Sequence, residues 1–163
     1  MKWVVQGPNF VNGYRRVREN NGSPGVDGKS VSDMKTYLPE HWRSIKQSIL
    51  EGNYRPQAVR STMIRKEGGG LRQLGIPTVV DRIIQQSIHQ LLSPYWEKKF
   101  SAYSYGFRPK RSAGDALRQS TLYINSGRHW IIDLDLKSFF DKVDHDKLID
   151  LISKVVGDKG LRH

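Results

Sequence analysis

The sequence contains no cysteine. Disulfide bridges and thiolate zinc sites are thereby excluded, which fits a cytoplasmic protein. No apolar run approaches the ~18 residues that a membrane-spanning helix needs, and the opening Met1-Lys2-Trp3-Val4-Val5-Gln6 is too short and broken for a secretory signal. Internal repeats and low-complexity stretches are also missing. Acidic residues are scarce, 16 Asp or Glu against 27 Lys or Arg. What remains is a globular composition, 37% hydrophobic and 26% charged, too apolar for a disordered chain. At 163 residues it can build one ordinary domain or two small ones.

The charge is unevenly placed. Residues 1–128 carry 21 basic and 9 acidic side chains, and residues 129–163 carry 6 and 7. A net charge of +11 concentrated in the first part points to a polyanionic partner. The plain alternative is a charged surface that only confers solubility.

The acidic part contains the most informative stretch, residues 130–146. It opens as an apolar run of strand type, Trp130, Ile131, Ile132, Leu134 and Leu136. Asp133 and Asp135 interrupt it. Alternation along a strand puts both on one face, opposite Ile132, Leu134 and Leu136. Carboxylates are depleted in strands and costly in a core, so such a pair suits a hard divalent cation handling phosphate. The same spacing also suits two Asp on the solvent side of a sheet.

The residues that follow narrow the reading. Asp135-Leu136-Lys137-Ser138-Phe139-Phe140-Asp141, then Val143-Asp144-His145, resembles the first catalytic motif of reverse transcriptases, most closely the bacterial group II intron type. The resemblance implies a palm strand on which Asp135 and the backbone carbonyl of Leu136 bind two Mg²⁺. It also implies that Phe140 packs against the sugar of an incoming dNTP and excludes a 2′-hydroxyl. The plain alternative for this pair is core packing, expected of one of Phe139 and Phe140.

Further matches occur in the same order as in that family. Residues 11–20 read as a short basic helix carrying Arg15, Arg16 and Arg18. Gly22-Ser23-Pro24-Gly25-Val26-Asp27-Gly28 is a loop by its turn formers. It resembles the segment before the fingers of these enzymes, where the N-terminal extension helps to hold template or intron RNA. Ser32-Asp33 starts a helix, Pro39 suits the first turn of a second, and Gly52 stops it. Residues 58–64 and 71–76 predict a β-hairpin around Arg65-Lys66-Glu67-Gly68-Gly69-Gly70, a mobile cationic tip suited to closing on a triphosphate. The resemblance makes it the fingers hairpin, with Lys66 and Arg72 on the nucleotide phosphates and Arg60 on nucleotide or template. Thr78 with Asp81 reads as a helix cap, with Ile84, Ile88, Leu91, Leu92 and Tyr95 on the buried face and Ile83 flanking it. By resemblance Ile76 and Pro77 lie under the templating base. His89 reads as a surface residue. Tyr103-Ser104-Tyr105-Gly106-Phe107-Arg108-Pro109-Lys110-Arg111 interleaves rings and cations, as single-strand binding does. The resemblance gives Arg108, Lys110 and Arg111 template or nucleotide contacts. For Phe107 the plain structural reading is packing under the fingers. Ser112 and Asp115 form a capping box for a helix burying Ala116, Leu117 and Ile124 and ending at Gly127. A last helix follows Asp144, with Leu148, Ile149, Ile152 and Val155 inward and Asp144 or Asp146 as its cap.

These matches run from about Arg15 to about Val156. They imply an α+β fold: an N-terminal extension and loop over residues 1–30, fingers built of helices and a hairpin over 31–128, and the start of a palm from 129. The implied function is RNA-directed DNA polymerisation, with RNA template, group II intron RNA, DNA primer and dNTP as partners. The family completes its metal site with a later Tyr-x-Asp-Asp hairpin, and no Asp-Asp pair occurs in this sequence. One carboxylate cannot hold two Mg²⁺ for in-line transfer, so this chain is expected to be inactive alone. A purely RNA-binding splicing cofactor is the rival reading. The edge of the palm strand invites pairing with a second copy, giving a homodimer.

Overall fold

The computed structural model describes residues 1–157. Among them are five α-helices, one two-stranded antiparallel sheet and a short 3-10 turn, an α+β arrangement. The chain divides into two compact units, Met1–Ser93 with the segment from Ser153, and Pro94–Ile152. The division falls inside a helix, between Ser93 and Pro94.

The first unit is built on three helices: α1 Gly7–Asn20, α2 Met34–Leu50 and α3 Val79–Glu97, whose last turn enters the second unit. α1 starts earlier than the basic stretch suggests because Pro8 fits its first turn, where no amide donor is required. Its buried Phe10 and Val17 join Met34, Leu38 and Ile49 of α2 and Val79, Val80, Ile83 and Ile84 of α3 in one core. Phe10 stacks on Trp42 with ring centroids 3.6 Å apart. Asn9 Nδ2 donates to the Ser87 carbonyl at 3.1 Å, and Gln90 Nε2 donates to Asn9 Oδ1 at 2.9 Å, which ties α1 to α3. α1 is therefore a wall of the core.

Two helix readings need correction here. Pro39 does not open a second helix but lies inside α2. It removes one donor near the start of a long helix, and Lys35, whose carbonyl loses that donor, is solvent-exposed. On α3 the buried stripe is rotated: Ile83 is fully buried, whereas Leu91 and Tyr95 are exposed. Core contact comes from the first half of the helix, where α1 crosses it.

The sheet is the hairpin β1 Arg60–Arg65 with β2 Leu71–Ile76. Its glycine tip closes by Lys66 N–H to the Gly70 carbonyl at 3.1 Å, with Gly69 and Gly70 at φ +88° and +81°, which glycine adopts freely.

The second unit holds α4 Ala113–Asn125 and most of α5 His145–Ser153. The Ser112–Asp115 capping box forms as the sequence predicts. Asp144 Oδ1 accepts from Lys147 N–H at 3.1 Å and so caps α5. The packing differs from expectation. Leu117 and Ile124 of α4 and Leu148 and Val155 in and after α5 are exposed, and α4 has no buried residue.

The largest correction concerns residues 130–136. They carry no regular secondary structure, and β1–β2 is the one sheet among the described residues. Trp130, Ile132 and Leu134 are 97%, 84% and 89% exposed. A strand exists only as a member of a ladder, and no strand partners this segment here. With no pleat, the alternation that placed Asp133 and Asp135 on one face does not apply, and no strand edge is formed.

Candidate functional site

The hairpin register decides which cations stand together. Arg60 pairs with Ile76, Thr62 with Leu74, and Ile64 with Arg72. Directly opposed residues share a face, so Arg60, Arg72 and Ile76 lie on one side of the ribbon. That side holds the half-buried Thr62, Ile64 and Ile76, while residues of the other face are exposed. Lys66 stands one step beyond β1, in the turn.

Both legs of the hairpin are held at their roots by one buried carboxylate. Asp81, 3% exposed, accepts from Tyr54 Oη at 2.7 Å, from Gln57 N–H at 3.3 Å and from Thr78 Oγ1 at 2.6 Å. Gln57 lies just before β1 and Thr78 just after β2. Asp81 N–H in turn donates to Thr78 Oγ1 at 3.2 Å, capping α3. Burial and the neighbouring Asp81 carboxylate raise the Tyr54 phenol far above its ordinary value. The sequence flags Asp81 only as a cap. Its partner Tyr54 is 27 residues away and carries no local signal.

Pro77 is fixed from the other side. Gly25 of the loop is buried so closely that a Cβ there would lie 2.6 Å from Thr78 Cα and 2.9 Å from the Pro77 carbonyl carbon. Arg82 Nη2 donates to the Ser23 carbonyl at 2.8 Å and holds the same loop. The loop is thus a wedge under the Ile76-Pro77 turn. Arg15 and Arg16 are exposed on α1, with Arg15 Nε 4.0 Å from Glu19 Oε1.

In the second unit, Arg108 is turned inward. Its side chain is 7% exposed and donates from Nη2 to Glu97 Oε1 at 2.6 Å and from Nη1 to the Ser101 and Ser104 carbonyls at 2.6 and 3.1 Å. The Glu97 carboxyl is held below its ordinary range, chiefly by the Arg108 hydrogen bond. Arg111 donates to the Ala102 and Ser104 carbonyls. Lys110 is exposed. Phe107 does not pack under anything: its ring is 111% exposed.

Asp135 and Leu136 are solvent-exposed, so the carboxylate is not sealed in a dry interior. Phe140, 86% exposed, opens the 3-10 turn Phe140–Lys142 and meets Phe139 edge to face at 5.5 Å. Neither phenylalanine is a core residue. Among the described residues no three acidic or histidine side chains gather as a cation site. Asp135 and the Leu136 carbonyl therefore do not complete a magnesium site by themselves. No helix among the described residues is long and apolar enough to cross a membrane.

Residues 64–159 match the family described as reverse transcriptase (RNA-dependent DNA polymerase). The chain is 37% identical over 141 residues to Protein YkfC of Escherichia coli K12, covering 83% of this chain and 37% of that protein. It is 38% identical over 146 residues to the group II intron-encoded protein LtrA of Lactococcus lactis subsp. cremoris, covering 89% of this chain and 24% of that one. It is 33% identical over 84 residues to nuclear intron maturase 1, mitochondrial, of Arabidopsis thaliana, covering 51% of this chain and 12% of that protein. The chain thus spans well under half the length of these relatives.

Proposed function

Since the chain belongs to the reverse transcriptase (RNA-dependent DNA polymerase) family, we propose that it serves RNA-directed DNA synthesis of the group II intron type and binds intron RNA as a maturase. The observation that carries this is the hairpin register, which sets Arg60 and Arg72 on one face with Ile76 at its root. Lys66 and Arg72 hold the dNTP triphosphate, and Arg60 contacts nucleotide or template. Ile76 and Pro77 lie under the templating base, and the exposed Phe140 ring checks the sugar. Lys110, Arg111, Arg15 and Arg16 contact RNA, while Arg108 acts by holding the turn that carries Lys110 and Arg111. The primer 3′-hydroxyl attacks the dNTP α-phosphate, and pyrophosphate leaves.

Reverse transcriptases generally use magnesium, which offsets negative charge on phosphate oxygens when bound. Asp135 and the Leu136 carbonyl are the ligands this chain offers, and they are too few for the reaction. The chain alone is therefore inactive, and its setting is the cytoplasm. With no strand edge formed, what suits association with a second copy is the exposed apolar run at residues 130–136. Light scattering that gives the mass of one chain at high concentration would count against that homodimer.

The test joins the chain to the rest of its reading frame and introduces Asp135→Asn. Loss of cDNA synthesis with intron RNA binding retained supports both roles. Persisting synthesis removes Asp135 from the chemistry and leaves the splicing cofactor, RNA binding without polymerisation, as the better reading.

A further inference from the structure

We propose that Phe107 is a stacking platform for one unpaired base of a single-stranded RNA. The proposal rests on the nucleic-acid reading above and adds a binding residue to it. Phe107 has φ +56°, in the left-handed region that a residue with a bulky side chain avoids. It gains nothing from burial to offset that strain, because its ring is fully in solvent. A strained residue persists only where its surroundings over-determine it, and such residues cluster at ligand sites.

The surroundings here are two guanidiniums. Arg108, the next residue, is locked onto Glu97 and the Ser101 and Ser104 carbonyls. Arg111 is locked onto the Ala102 and Ser104 carbonyls. Between them Lys110 is also left-handed, at φ +60°, and exposed. The turn thus presents one bare ring and, three residues on, one exposed ammonium.

The charge selects the occupant. Residues 94–128 carry seven Lys or Arg and two acidic residues. An apolar protein surface would gain nothing from those cations. A nucleobase offers a flat π-face to the ring, and its phosphate offers a charge to Lys110. RNA inside a duplex cannot use the ring, since its bases are already stacked.

The experiment measures binding of this chain to a single-stranded RNA containing 2-aminopurine, across a salt series. Phe107→Ala is expected to weaken binding about tenfold, to leave the salt slope unchanged and to abolish quenching of the base fluorescence. Phe107→Trp should restore both. Phe107→Gly should raise the melting temperature while weakening RNA binding, because glycine relieves the φ strain. If wild type binds RNA and Phe107→Ala binds equally well, the platform is overturned and the nucleic-acid reading stands. If wild type binds no RNA, the nucleic-acid reading itself has failed. If Phe107→Ala changes only the associated mass of the protein, the ring packs against another protein copy and the proposal is overturned.

Discussion

One carboxylate joins three stretches that are distant in sequence. Asp81 receives Tyr54, Gln57 and Thr78, so removing it strands three donors. Asp81→Ala should cost about 3 kcal/mol in urea unfolding, because unsatisfied buried groups are expensive. Tyr54→Phe removes one donor from a half-buried site and should cost about 1 kcal/mol. Hydrogen exchange at Gln57 should speed up in Asp81→Ala, and an unchanged rate there would deny that the hairpin root depends on it. Glu97 allows a pH test. Its folded-state value is lowered, chiefly by Arg108. Its stabilising effect is therefore complete above the ordinary Glu value of about 4.3 and lost as acid carries the pH through the lowered folded value. Glu97→Gln should flatten acid unfolding of the second unit in that window, read by circular dichroism. Neither pair was legible in the sequence. Asp81 looks like a cap and Arg108 like an RNA contact, because what each side chain meets is set by chain folding rather than by its neighbours.

Elements were easier to read than contacts. Residues 71–76 form β2 where alternation placed it, and Ser112 and Asp115 cap α4 as their spacing requires. These features are decided within a few residues. The segment after Arg128 failed for the opposite reason. Trp130, Ile132 and Leu134 have strand propensity, but a strand also needs a neighbour, and propensity cannot supply one. The loop at Gly25 is the intermediate case. Its turn chemistry was clear, yet its position against Pro77 and Thr78 was not. Gly25→Ala must push the loop off the Thr78 backbone, since the added methyl would sit 2.6 Å from Thr78 Cα. Backbone cannot rotate aside as a side chain can, so destabilisation of about 2 kcal/mol or more is expected. A thermal melt reads it. A stability equal to wild type would mean that the loop does not brace the turn. In the extended reading frame the same variant should lower cDNA synthesis more than Gly28→Ala, because Gly28 has open space around its Cβ position.

At the scale of the molecule, charge dominates. Residues 1–128 carry 21 basic and 9 acidic side chains and so more than the whole net +11, while the segment containing Asp135, with 6 and 7, is close to neutral. The first unit buries a shared core of α1, α2 and α3, and this leaves Arg15 and Arg16 outside on α1. A polyanion that binds such a surface releases counterions, so log Kd for single-stranded RNA should change linearly with log salt. Every phosphate that is no longer neutralised should reduce the slope by about 0.7. Arg15→Ala with Arg16→Ala should therefore flatten the slope and weaken binding uniformly across RNA sequences. Both residues are exposed, and neither contributes to the core, so the melting temperature should stay within a few degrees of wild type. Fluorescence anisotropy with a labelled oligonucleotide measures slope and affinity together. A double variant that binds more weakly at unchanged slope would show that α1 contributes shape rather than phosphate neutralisation.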